Sequence, residues 1–132
     1  MSFETVVQTV IYDALSASTA VTDLVTGIYD AVPQQEAFPY ITLGEALHSE
    51  WDTYAEVGNN VSIVINTWSR ERGRQETKQI QGEIYNTLHR ATLTVSGYNI
   101  AGIDFEQSES FMDADGLTRH GVQSFRILIE RV

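Results

Sequence analysis

The chain has 132 residues, 42% of them hydrophobic and 20% charged, which is one domain's length with enough apolar content for a core. It has no cysteine, which excludes a disulfide scaffold, Cys-ligated zinc, iron–sulfur clusters and thiol catalysis and suits a reducing compartment. Eighteen acids against eight bases give a formal net charge of −10, the wrong sign for general DNA binding.

Met1-Ser2-Phe3-Glu4 lacks the basic start of a signal peptide. Phe3, Val6, Val7, Val10, Ile11, Ala14 and Leu15 then fall at helical spacing and predict a first helix with Ser2 as its N-cap. Val21, Leu24 and Val25 predict a short second helix, stopped by Gly27. Residues 31–39 hold both prolines, Pro33 and Pro39, and read as an irregular connection. Tyr40 to Ala46 reads as a strand with Ile41 and Leu43 on one face. Residues 47–60 read as a long acidic, aromatic loop that contains His48, Glu50, Trp51, Asp52, Tyr54 and Glu56 and ends in the turn signal Gly58-Asn59-Asn60.

Val61, Ile63 and Ile65 mark a second strand that runs to Trp68, which is expected in the core. From Gly73 to Arg90 the helical period returns, with Thr77, Ile80, Ile84, Tyr85 and Leu88 as the buried stripe and His89 with Arg90 complementing the helix C-terminus. Gly97 sits in a turn, Ile103 and Phe105 mark a third strand, and Asp113-Ala114-Asp115-Gly116 is a turn. Val122 to Ile129 is the last strand, with Phe125, Ile127 and Ile129 on one face. The expected fold is α+β in a single domain over residues 1–132: one antiparallel sheet of about four strands flanked by two main helices, in the order α-α-β-β-α-β-β. No apolar run approaches the about 20 residues of a membrane span, so no membrane partner is expected.

No reactive constellation stands out. There is no phosphate-cradling glycine loop, no dinucleotide fingerprint and no GxSxG elbow. His48, His89 and His120 fall in a loop, a helix end and a turn, without zinc-ligand spacing. Asp113, Asp115 and Gly116 are a fragment of a calcium loop that lacks the remaining ligands. Neither a catalytic residue, a metal nor a cofactor is therefore assigned.

Charge is unevenly spread. No Lys or Arg precedes Arg70, so residues 1–69 carry nine acids for a net −9, and residues 70–132 carry nine acids and eight bases for a net −1. Arg70, Arg72, Arg74 and Lys78 lie close together at the start of the third helix. An acidic half and a basic helix start suit head-to-tail docking onto another copy or a partner.

Several stretches in order carry a resemblance. Gly27-Ile28-Tyr29-Asp30-Ala31-Val32-Pro33 leads to Phe38-Pro39-Tyr40-Ile41-Thr42-Leu43-Gly44; Trp51-Asp52-Thr53, Trp68-Ser69-Arg70 and Gly73-Arg74 follow. The last is Asp113-Ala114-Asp115-Gly116-Leu117-Thr118-Arg119-His120-Gly121 with Phe125-Arg126. Together they resemble the tail-completion or tail-terminator family of long-tailed phages and gene transfer agents. The resemblance implies a structural virion protein and not an enzyme. It implies a homo-hexameric ring at the head–tail junction, on the head-proximal end of the tail tube, that stops tube polymerisation at the tape-measure length and joins the head connector. Its partners would be itself, the major tail tube protein and the connector or stopper protein, with DNA passing through the lumen unbound, and assembly would take place in the host cytoplasm. The alternatives are a head-completion or stopper protein on the portal side and, further off, a small hydrolase or ligand-binding domain. Interface residues expected on this reading are Trp51, Asp52, Tyr54 and Glu56 in the acidic loop, Arg70, Arg72, Arg74 and Lys78, and the turn residues Arg119 and His120.

Overall fold

The structure, a computed structural model, describes residues 2–32, 34–52 and 57–132, and of residues 49–52, 57 and 58 it describes the backbone alone. Helix α1 spans Phe3–Ala17, and the Ser2 hydroxyl accepts the Thr5 N–H as its N-cap. Such a cap stabilises a helix by about 1 kcal/mol. Ser18 closes α1 and in turn caps α2 (Thr19–Thr22), its hydroxyl accepting the Val21 N–H. Five strands follow around one further helix: β1 (Ile28–Tyr29), β2 (Tyr40–Asp52), β3 (Val57–Ser69), α3 (Gln75–Leu88), β4 (Tyr98–Met112) and β5 (Arg119–Arg131).

The architecture is α+β, with one sheet in the order β1-β2-β3-β5-β4. The sheet has five strands and is mixed, since β1 pairs parallel to β2 at Ile28↔Ile41 and Tyr29↔Thr42. Two residues with no alternation leave a strand this short without a sequence signal. All other pairings are antiparallel.

The expected loop at 47–60 is corrected. β2 continues to Asp52 and β3 starts at Val57, with Glu50 opposite Asn59 and Trp51 opposite Gly58. Gly58-Asn59-Asn60 therefore lies inside a strand. Gln81 takes the buried helical place expected for Tyr85, which is exposed.

Both long helices cover the same face of the sheet. Val6, Val7, Val10, Ile11 and Leu15 of α1, with Ile80, Ile84 and Leu88 of α3, meet Ile41, Leu43, Val61, Ile63, Ile65, Ile103, Phe125, Ile127 and Ile129. The odd-numbered residues of β3 and β5 point into this core. Its end beneath the first half of α3 is polar: Gln123 Nε2 donates to the Gln81 carbonyl at 2.9 Å and Gln81 Nε2 to the Glu109 carbonyl at 3.1 Å. A Cβ at Gly121 would lie 2.6 Å from Gln81 Nε2 and 2.8 Å from Thr77 Cγ2, so a bare backbone lets α3 sit this close to β5.

The outer edge of β4 is bonded at its middle. The Arg90 N–H donates to the Ile103 carbonyl at 2.9 Å, and the Phe105 N–H donates to His89 Nδ1 at 3.1 Å. His89 thus serves β4 through its ring, a role different from the expected one of complementing the helix C-terminus. Register shifts at Ile100/Gly102 and Phe105/Gln107 further break that edge.

Candidate interface surface

The face of the sheet without helices carries a row of aromatic side chains. Tyr40 of β2 pairs with Trp68 of β3, Trp68 with His120 of β5, and His120 with Phe111 of β4. Since strand side chains alternate, one register line brings all four onto one face. Ring centroids are 6.4 Å apart for Tyr40–Trp68, 3.8 Å for Trp68–His120 and 5.0 Å for His120–Phe111. The Trp68 and His120 rings are stacked at 15°. Trp68 Nε1 donates to Thr42 Oγ1 at 3.0 Å, and His120 Nε2 donates to Asn66 Oδ1 at 2.8 Å. Trp68 is thus half-buried on the helix-free face, a correction of its expected core position.

Arg119 and His120 are likewise corrected. They belong to β5 and not to an exposed turn, and Arg119 is buried on the helix side. His48 is also in a strand, β2, where its Nε2 donates to Asn59 Oδ1 at 2.6 Å and its Nδ1 lies 3.4 Å from the Glu4 carboxylate. Among the described residues no group of three His, Cys, Asp or Glu could hold a metal ion.

The turn between β4 and β5 is tied to the end of β3. Arg70 Nε donates to Thr118 Oγ1 at 2.8 Å, and that hydroxyl donates to Asp115 Oδ2 at 2.7 Å. Asp115 Oδ1 accepts the N–H groups of Leu117 and Thr118, each at 2.8 Å. The Thr118 hydroxyl first, then these two N–H groups, hold the Asp115 carboxyl down at about 2, against an ordinary 3.8. Its contribution to the turn is complete above pH 4 and is lost as pH falls toward 2. The Arg70 guanidinium also lies 4.4 Å over the Phe38 ring. Phe111, Met112 and Leu117 are exposed beside this node, with Leu117 at 63%.

Arg72, Arg74 and Lys78 are fully on the surface and make no ion pair among the described residues. The backbones of Trp51 and Asp52 close β2 at the opposite end of the β2–β3 hairpin, their side chains lying outside the described residues, as Tyr54 and Glu56 do entirely. The expected interface residues therefore do not form one patch. The basic set and the hairpin tip are separated by the 13 residues of β3, or about 40 Å at 3.3 Å per residue.

Burial pushes the His120 imidazole below its ordinary 6.5, against the opposing pull of Asp113 and Glu109. The fold thus prefers the neutral ring, so its stabilisation is complete above pH 6.5 and declines as pH falls below that value. In a Trp51→Phe background, the emission of Trp68 is expected to change with this titration, because the imidazole lies on the indole. His120→Gln is expected to abolish the change. An unchanged titration in His120→Gln would separate the two rings.

The sequence matches the family described as "Tail completion protein gp17" over residues 9–130. The tail completion protein gp17 of Bacillus phage SPP1 is 21% identical over 107 residues, which cover 81% of this chain and 79% of that protein. Among solved structures, a chain from the virion of a native gene transfer agent particle superposes with a TM-score of 0.88 at 24% identity, over 98% of this chain and 99% of that one. The bacteriophage SPP1 gp17 structure superposes with a TM-score of 0.67 at 19% identity, over 96% and 90%. The two superpositions share the fold, and the family match spans the elements described above from α1 to β5. The chain belongs to the tail completion protein gp17 family.

Proposed function

We propose that this tail completion protein acts as a hexameric ring on the head-proximal end of the tail tube, where it stops tube growth and joins the tail to the head connector. The observation that carries this reading is the uneven spread of charge along the sequence. Residues 1–69 hold nine acids and no base, whereas Arg72, Arg74 and Lys78 stand exposed just beyond the end of β3. A cyclic ring needs a heterologous interface, with two different patches on each subunit. Complementary charge steers that association and fixes its register. A net charge of −10 keeps DNA from adhering as it passes through the lumen.

Particles made without this gene test the reading directly by electron microscopy. Full heads beside unattached tails, some overlong, are expected. Tails of normal length beside leaking heads would move the protein to the head-completion side, and normal particles would end the proposal. The interface itself is tested by the triple variant Arg72→Glu, Arg74→Glu, Lys78→Glu. Its fold stability is expected to change by less than about 1 kcal/mol, since these are exposed side chains. Its incorporation into tails is expected to fall at least tenfold. Normal incorporation would remove these bases from the ring contact.

A further inference from the structure

The two edges of the sheet are treated differently. The middle of β4 is bonded by Arg90 and His89 at Ile103 and Phe105, whereas β1 covers β2 only at Ile41 and Thr42. From Leu43 to Asp52, no strand of the described residues lies against the outer edge of β2.

The register says which groups this edge presents. Ile41 donates its N–H outward, to the Gly27 carbonyl at 3.1 Å. In an antiparallel ladder, opposed pairs alternate between exchanging both hydrogen bonds and exchanging none. Ile41 faces Thr67, and Leu43, Ala46 and His48 face Ile65, Ile63 and Val61, all on the same alternation of β3. Ala46 and His48 therefore turn their N–H and C=O groups outward. The same parity, carried across β5, places the Phe105 N–H and the Ile103 carbonyl on the outer side of β4, where His89 and Arg90 meet them.

We infer that the outer edge of β2, around Ala46 and His48, takes an extended, Lys- or Arg-bearing segment of another virion protein as an added strand. The inference rests on reading the chain as a joint between virion parts. Charge selects the occupant. β2 carries Glu45, Glu50 and Asp52 and no base, and the whole of residues 1–69 has none. Opposite charges across a strand pair stabilise it and like charges oppose it. A second copy of this chain fits poorly: its other edge strand, β4, carries Asp104, Glu106 and Glu109 without a base, and its Ile103 carbonyl and Phe105 N–H are already bonded. Leu47, 73% exposed beside these positions, offers an apolar contact for the added strand.

Amide hydrogen exchange at Ala46 and His48 tests the proposal in three samples: the free chain, the purified chain assembled alone, and isolated virions. Exchange is expected to be at least tenfold slower in virions than in the other two. Equal rates in all three would overturn the proposal. Protection already present in the chain assembled alone would also overturn it, by assigning the edge to a second copy. Ala46→Pro adds a functional test, because it removes an outward N–H while leaving the β3 ladder intact. It is expected to keep the fold and incorporation into tails and to lose head–tail joining by at least tenfold. A variant that keeps its circular dichroism and joins normally would overturn the proposal. Failure of the wider reading is distinguishable, since it appears as normal particles when the gene is absent altogether.

Discussion

Replacing Phe125 with alanine is expected to destabilise the protein by about 3–5 kcal/mol, the range for aromatic truncation in a core. Phe125 has no exposed surface and lies in β5, an interior strand of the sheet. It is flanked by Ile63 of β3 and Phe105 of β4, and the Phe105 ring meets it edge-on at 5.6 Å. Both neighbours are held by backbone ladders, so the cavity cannot collapse cheaply. Urea unfolding of the variant measures the loss. A value under about 1 kcal/mol would contradict the placement of Phe125 in the core.

Trp68→Ala is expected to cost about 2–4 kcal/mol, somewhat less than a fully buried tryptophan because one side of the indole faces solvent. Three contributions disappear together. They are the stack on His120 at 3.8 Å, the contact with Tyr40 at 6.4 Å, and the N–H donated to Thr42 Oγ1. Trp68→Phe is expected to recover all but about 1 kcal/mol, the worth of that hydrogen bond. With the indole gone, His120 loses the surface that buries it, and its titration is expected to return toward 6.5. Proton NMR of the imidazole follows that shift. An unmoved titration would mean that Trp68 does not cause the burial.

The helices were legible because their signals are local. Ser2 and the spacing from Phe3 to Leu15 predict α1, and the structure places its start at Phe3. The outer halves of β2 and β3 were not legible, because Ser49, Glu50, Gly58, Asn59 and Asn60 are polar or small and offer no apolar alternation. Glycine and two asparagines at 58–60 carry the composition of a turn, yet they pair with Trp51, Glu50 and Ser49. Long-range pairing overrode local preference there. The places of Trp68 and Arg119 were legible in principle. Val61, Ile63 and Ile65 set odd residues of β3 toward the core, which puts Trp68 on the far face; Phe125, Ile127 and Ile129 likewise put Arg119 inside. The aromatic row itself needed the register, since it joins four strands that are remote in sequence.

The strand order also sets a timetable for folding. β5 is made after β4, yet it lies between β4 and β3. Until β5 emerges from the ribosome, β3 has no partner on the side away from β2, and β4 has nothing to bond along its inner side. Pairing β3 with β5 joins Asn59 to Ile129 and Ser69 to Arg119, contacts that close long loops and are slow to form. The sheet therefore completes only after β5 is made. Until that step a copy lacks the strand that joins the two halves of its sheet, so translation itself sets the point at which a folded subunit exists.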